Sequence, residues 1–374
     1  MTFIYFILIF SLLVVVHELG HFLAAKKAGV KVEEFAIGMP PRIWSKKVGE
    51  TRYAINAIPL GGYVKLYGEE GSKDTSPKNL QNKSPLQKIF IFSAGVLMNF
   101  LLAYLLLTGF YLFGGRTIIE GMEKYTGIIN TQKVLVSEVE EGSPAATEGI
   151  LPGDIILTVN GGTVYTSATV SNEVAKSKEN NGDATVTLKR GEEEITKTLK
   201  TYTDKVVAKG EEYEVERIGI VMENEGRIRA KWYWAPVIAA QETVRLTWLS
   251  VSGLFDFFRT LVGKFQISEN VGGVVAIYSV TDAAAEMGFA AIVQLVILLS
   301  LALAAFNILP FPALDGGHIL FIVIEKITGR QISQSTKNLV NLIGFGLLLL
   351  LVIVITWTDL GRFGILGKIK GIFK

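Results

Sequence analysis

Cysteine is absent from this chain, and histidine occurs only three times. The first absence rules out disulfides and thiolate ligands, so any metal centre must be built from imidazoles and carboxylates. An excess of either charge is missing too. The 37 Lys and Arg face 35 Asp and Glu, and nothing else in the sequence points to a nucleic-acid partner. The N-terminus has no basic n-region, and no small-residue cleavage site closes its apolar run, so a retained helix is expected there rather than a signal peptide.

Charge is also missing locally. Residues 2–16 carry none, and neither do 89–115, 287–314 and 338–358. A bilayer crossing takes about 20 apolar residues. The chain is therefore expected to be a polytopic α-helical membrane protein with about four transmembrane helices, near 2–25, 88–112, 287–325 and 338–358. Four such stretches in a sequence that is 49% hydrophobic do not fit the buried helices of a soluble core. Residues 26–88 hold twelve Lys/Arg against six Asp/Glu, so the positive-inside rule makes them cytoplasmic. The first helix then runs inward, residues 116–286 form a polar block outside, and Lys326, Arg330 and Lys337 lie in an inner loop. The tail "GRFGILGKIKGIFK" falls outside despite being basic, a conflict that the longer basic loop outweighs.

Against this uniform background, "VVVHELGHFL" (14–23) places His17, Glu18 and His21 inside the first span. Polar groups in hydrocarbon are costly and mark function. The pattern is H-E-x-x-H. On a helix, positions i and i+4 are about 40° apart around the axis and about 6 Å along it, so both imidazoles can reach one ion. Glu18 is about 100° around from His17 and suits a water in an open coordination position. That is the layout of a metal hydrolase, in which zinc lowers the pKa of its water and the glutamate accepts the proton. One Zn²⁺ is the expected cofactor, although iron or manganese also takes such ligands.

A third ligand is expected from "FNILPFPALDGGHILF" (306–321), where Asp315 is the only carboxylate between Glu286 and Glu325. Pro310 and Pro312 break the helix, and Gly316 and Gly317 allow close backbone approach. His318 is a weaker candidate, because a fourth protein ligand would close the water position. It is expected to support or pack against the site.

The external block has a readable order. A strand, a Gly142/Pro144 turn, a short helix, a Pro-Gly-Asp turn and a strand ending in a Gly pair are followed by a hairpin near Arg190-Gly191. "GSPA" and "PGDIILTVNG" make residues 116–205 resemble a PDZ domain of the kind attached to bacterial proteases. Residues 206–286 are left as a connector, with an amphipathic or interfacial helix expected within 231–265.

HExxH in the first span, one external PDZ-like module and "NILPFPALDG" in a later span together resemble the site-2 protease family, in its bacterial form. The likeness runs over nearly the whole chain and includes "IPLGGYVK" (58–65) and "IEKITGR". It implies a zinc-dependent intramembrane endopeptidase with His17, His21 and Asp315 on the metal and Glu18 as catalytic base. Asn307, Gly61 and Gly62 would contact substrate. It also implies that residues 31–70 form a membrane-reentrant β-hairpin, whose edge can hold an unwound substrate by strand addition. The domains expected are 1–115, 116–205, 206–286 and 287–374. The implied partners are the bilayer and single-pass membrane proteins already trimmed by a site-1 protease, such as anti-sigma factors, and remnant signal peptides. The implied location is the cytoplasmic membrane, with the active site toward the cytoplasm. The external module would act as a size filter or as a receptor for new C-termini. Two departures concern local helix geometry: Val96 and Gly273 stand where relatives often carry proline. Two rival readings are an inactive PDZ-bearing membrane scaffold and a zinc transporter, although a transporter has no need of Glu18 beside the histidine pair.

Overall fold

The computed structural model describes all residues except 70, 72, 73, 116–124, 126, 127, 209, 210, 265–271 and 363–374. Most of the basic tail and the first residues of the expected external module lie outside the described residues. In chain order the elements begin with α1 (Thr2–Lys27), β1 (Val32–Val48), β2 (Thr51–Leu66) and α2 (Pro85–Phe113). A strand-rich stretch follows: β3 (Ile128–Asn130), β4 (Lys133–Val139), α3 (Pro144–Thr147), β5 (Ile155–Val159), β6 (Gly162–Thr163), α4 (Ser167–Lys176), β7 (Asp183–Arg190) and β8 (Glu193–Lys200). It continues with β9 (Tyr202–Ala208), β10 (Glu211–Arg217), β11 (Ile220–Glu225) and β12 (Ile228–Ala230). The chain ends in α5 (Ala235–Lys264), α6 (Val274–Met287), α7 (Phe289–Asn307), α8 (Asp315–Thr328) and α9 (Gln334–Arg362). Two compact units result: Met1–Gly109 with Pro236–Lys374, and Phe110–Ala235.

In the first unit, α1, α2, α7 and α9 are long and apolar enough to cross a membrane. Their outward side chains show it. Leu342, Ile343, Phe345, Leu350 and Ile353 of α9 are all exposed, an apolar face suited to contact with lipid. Inward, Ile9 and Leu13 of α1 pack with Ala284 of α6 and with Ala291, Leu295 and Val296 of α7. Ala24, Ala25, Ile91, Ala94 and Ile322 form a second cluster joining α1, α2 and α8. The α1–α2 contact is close because position 20 is glycine. A Cβ there would lie 2.3 Å from the Ala94 carbonyl oxygen, so any side chain would push the helices apart. Val96 is buried within an unbroken α2.

The expected single span at 287–325 is in fact two helices. α7 stops at Asn307 and α8 starts at Asp315, with Pro310 and Pro312 between them. Prolines lack the N–H a continuing helix needs. The break is folded tightly onto α8: a Cβ on Gly316 would sit 2.2 Å from the Leu309 carbonyl oxygen, and one on Gly317 2.3 Å from that of Phe311. Ala313 takes φ +71°, a left-handed conformation unusual for alanine. Its N–H donates to the Asn341 side chain of α9 at 3.2 Å.

The helix α6 was not anticipated. Its N-terminus is capped from α9, where the fully buried Asp359 carboxylate accepts from the N–H groups of Gly273 (2.8 Å) and Ala276 (3.2 Å). A helix N-terminus leaves such donors free, and a carboxylate also meets the positive end of its dipole. Gly273 therefore supplies a bond that proline at this position could not.

β1 and β2 are long antiparallel strands that each bend and pair on two sides. Residues 32–37 lie between 62–66 and 52–55, while 42–48 pair with 51–56. Four short segments thus form one curled sheet, with 62–66 at one edge. Inside it the Glu34 carboxylate is held by Arg42 (2.6 and 2.8 Å) and by the Tyr63 hydroxyl (2.8 Å). Ser11 of α1 donates to the Pro59 carbonyl and ties the sheet to the helix.

The second unit is built on an antiparallel sheet ordered β11-β4-β5-β7-β8, with β6 beside β5. β9 pairs with β10, and β12 with β3. Alternating residues of the sheet point inward, and Val134, Val136, Ile156, Val186 and Leu188 pack there against Val170 and Val174 of α4. Burying each such aliphatic side chain contributes about 1.5–3 kcal/mol. β11 joins the sheet beside β4, so the unit extends past the expected boundary at 205 and takes β9–β12 from the connector. The reason is that β4 would otherwise be an unpaired edge. The Pro-Gly-Asp turn is pinned electrostatically. Asp154, almost wholly buried, accepts from Arg190 Nε and Nη2 at 2.7 Å each and from Leu151 N–H at 2.9 Å.

Arg190 is the main reason the Asp154 carboxyl is held below its ordinary range. Its stabilising effect is therefore present above the unfolded carboxyl's pKa of about 4 and is lost as pH falls through the lower folded value. Arg190→Ala is expected to destabilise this unit by about 2 kcal/mol at pH 7, with the difference from the parent shrinking below about pH 4. Hydrogen exchange of the β5 and β7 amides in the full chain reads this directly; equal protection in parent and variant at pH 7 would refute it. Gly273→Pro is expected to cost about 1–3 kcal/mol, because Asp359 loses a buried partner. Thermal unfolding of the detergent-solubilised protein at an unchanged midpoint would count against the cap.

Candidate metal centre

α1 and α2 run antiparallel, and both present the same four-residue spacing to their contact. His17 and His21 face α2 from one side. Ile91, Gly95 and Asn99, at i, i+4 and i+8, face them from the other. The Ile91 carbonyl accepts a hydrogen bond from His21 Nδ1 at 2.8 Å, which leaves the His21 Nε2 lone pair free. His17 Nδ1 lies 3.3 Å from the Asn99 side-chain amide. Gly95 makes the room: a Cβ there would be 2.4 Å from His21 Nε2 and 2.8 Å from His17 Nε2. Both histidines are buried.

Asp315, the first residue of α8, completes the group. Its Oδ2 lies 3.0 Å from His17 Nε2 and 3.3 Å from His21 Nε2, and the two Nε2 atoms are 3.2 Å apart. Among the described residues this is the group of His and acidic side chains positioned to hold an ion. The separations test the fit to zinc. Nitrogen and oxygen ligands about 2.0–2.1 Å from a tetrahedral ion lie about 3.3 Å from one another. The three atoms thus form one face of such a tetrahedron. Asp315 Oδ2 is buried and accepts no hydrogen bond, so a cation is the partner its charge calls for.

A cavity of about 270 Å³ opens beside these atoms. Glu18 lines it but is not one of the three converging groups. Glu18 Oε2 accepts the N–H of Val64 at 3.0 Å, which fixes the carboxylate against the 62–66 edge of the curled sheet. Asn307, at the end of α7, also lines the cavity. His318 lines it as well, stacked on Phe92 with ring centroids 4.6 Å apart, and it stands between this cavity and a neighbouring one of about 370 Å³. It does not join the ligand group. Gly61 and Gly62 do not line the cavity, where the strand contributes Tyr63, Val64 and Leu66 instead. The glycines shape the edge: Gly61 takes φ +82°, and a Cβ on Gly62 would lie 2.7 Å from the Ala36 carbonyl oxygen. The α2 residues Ile91, Gly95 and Asn99 were missed from the sequence. Their signal was a four-residue spacing inside a charge-free run, the same spacing as the histidines.

Comparison with known proteins places the whole chain in a family. The sequence profile of Peptidase family M50 matches residues 5–351. The chain belongs to peptidase family M50, the site-2 proteases. It is 34% identical over 361 residues to a Clostridium perfringens protein named "Putative zinc metalloprotease", an alignment covering 96% of this chain and 98% of the relative. It is also 29% identical over 441 residues to the zinc metalloprotease RasP of Bacillus licheniformis, covering 96% and 99% respectively. This M50 protein is a multi-pass membrane protein and a zinc-dependent protease.

Because Gly95 supplies the space beside both Nε2 atoms, Gly95→Ala is expected to weaken zinc binding at least tenfold, as a methyl carbon cannot share that volume with an ion. Chelator competition on the purified variant measures it, and parental affinity would show that the ion lies elsewhere.

Proposed function

We propose that this M50 protease hydrolyses peptide bonds within or near the transmembrane segments of other membrane proteins, using Glu18 as general base and His17, His21 and Asp315 as zinc ligands. The observation that carries the reading is the convergence of three ligand atoms on one tetrahedral face, beside a carboxylate that faces the same cavity, within a unit of apolar helices. Zinc supplies a Lewis acid that polarises the scissile carbonyl and makes water acidic enough to attack near neutral pH. Glu18 takes the proton of the attacking water and delivers it to the departing amine nitrogen. One of its oxygens stays on Val64 N–H, so the other is presented to the water. Asn307 binds the substrate chain near the ligands.

A transmembrane helix has its peptide groups locked in its own hydrogen bonds, so the cut site must be unwound and its freed groups given partners. The edge at 62–66, next to Glu18, suits a substrate strand adding to the sheet. The apolar residues exposed on this sheet, such as Ile37, Met39, Ile43 and Trp44, fit a membrane-reentrant position. The excess of Lys and Arg in 26–88 supports a cytoplasmic-side active site in the cytoplasmic membrane. The second unit is then an extracytoplasmic PDZ domain that restricts substrates to single-pass proteins already trimmed outside, in the second cut of regulated intramembrane proteolysis. The exposed Trp248 and Phe255 of α5 fit a helix at the membrane interface.

Glu18→Gln is expected to keep one zinc per chain and to lose at least ~10²-fold in cleavage of a fluorescent transmembrane substrate. Metal analysis and the cleavage assay on one preparation decide it. Cleavage at the parental rate would remove Glu18 from the mechanism, and a parent with zinc but no cleavage would favour the scaffold reading.

A further inference from the structure

We propose that Asn99 is the positioning residue for His17: its side-chain oxygen accepts the His17 Nδ1 proton and thereby directs Nε2 onto the metal. The proposal rests on the ligand set given above and deepens it.

The argument starts from an asymmetry between the two histidines. His21 has its Nδ1 proton fixed by a backbone carbonyl, that of Ile91. One turn further along the same face of α2, Gly95 leaves space for the Nε2 atoms. One turn beyond that, Asn99 meets His17 Nδ1 at 3.3 Å. Because the helices are antiparallel, the ring nearer the C-terminal end of α1 takes the backbone acceptor, and the other takes a side chain. Asn99 is fully buried, and its Oδ1 has no hydrogen-bond partner. An unpaired amide oxygen buried in an apolar helix pair is costly and needs a reason.

The tautomer supplies that reason. His17 Nε2, not Nδ1, faces His21 and Asp315. To ligate through Nε2, the neutral ring must carry its proton on Nδ1. An amide N–H₂ opposite that N–H would set two donors against each other. Turning the Asn99 amide about its last torsion brings Oδ1 to the His17 proton and gives the oxygen its missing partner. The backbone of the same turn is held independently, since Ser300 of α7 donates to the Asn99 carbonyl at 2.9 Å. The side chain can therefore turn without moving α2. Outer partners of this kind fix ring orientation, and their loss typically weakens metal affinity 10–100-fold.

The test compares two replacements of similar shape, Asn99→Leu with no acceptor and Asn99→Asp with only acceptors. Zinc affinity is measured by chelator competition on the full-length protein in detergent, with His17→Ala as reference. The expected result is a 10–100-fold loss for leucine and parental or tighter binding for aspartate. Leucine binding zinc as tightly as asparagine, or aspartate failing as leucine does, would overturn the proposal. If His17→Ala itself keeps parental affinity, the ligand assignment falls and this inference with it. If His17→Ala loses zinc while Asn99→Leu does not, the role of Asn99 alone is refuted. A second measurement needs no variant. The chain has only three histidines, so ¹⁵N-histidine spectra of the zinc-loaded parent can assign the proton of each ring. A His17 proton on Nε2 would overturn the proposal outright.

Discussion

The close contact of α1 with α2 is the constraint on which this protein depends. Apolar helices in lipid gain nothing from hydrophobic burial against one another, so small residues and buried polar contacts must set their distance. Here Gly20 lets the backbones approach, and Gly95 leaves a gap opposite the imidazoles. A Cβ at either place would overlap the facing helix or the imidazoles, so a larger residue would force them apart. The site is thus a property of two helix faces in register, and the ligands alone do not define it.

A second requirement is that the proposed third ligand arrive from a distant part of the chain and still be rigid. Asp315 meets it by standing at the first turn of a helix whose preceding segment is folded back on it. Gly316 and Gly317 admit the carbonyls of 309 and 311, and Ala313 accepts an unfavourable backbone conformation under restraint from Asn341. The local strain and the backbone crowding both fall where the carboxylate must be aimed, a common place for a fold to store strain.

Much of this was legible beforehand, and the reasons are physical. The spans were readable because a charge-free apolar run of about twenty residues is what a bilayer crossing demands. The histidine pair was readable because four-residue spacing on a helix is a fixed geometry. Asp315 stood out as a lone carboxylate beside helix breakers. The division of 287–325 into α7 and α8 was half visible in Pro310 and Pro312. What escaped was pairing between distant segments. β11 completes the sheet around β4 from beyond the expected boundary, and no local pattern in 220–225 announces its partner. Asp359 capping α6 and Asn99 meeting His17 are likewise tertiary facts, each an ordinary polar residue until its neighbour is known. Gly61 and Gly62 were expected to contact substrate; instead they shape the strand's path and do not line the cleft.

The first unit is discontinuous: its two parts flank the whole of the second, and His21 and Asp315 come from opposite parts. An ion held by both, as proposed, would be a crosslink spanning nearly three hundred positions. Such a clip limits the freedom of the unfolded chain as a long-range tether does, and the entropic gain grows only slowly with the length enclosed. Everything inserted between the two parts can therefore lengthen or shorten at little cost to the clip. The same ion that serves the chemistry would also join the two parts of the first unit, so chelation should loosen the protein as well as silence it.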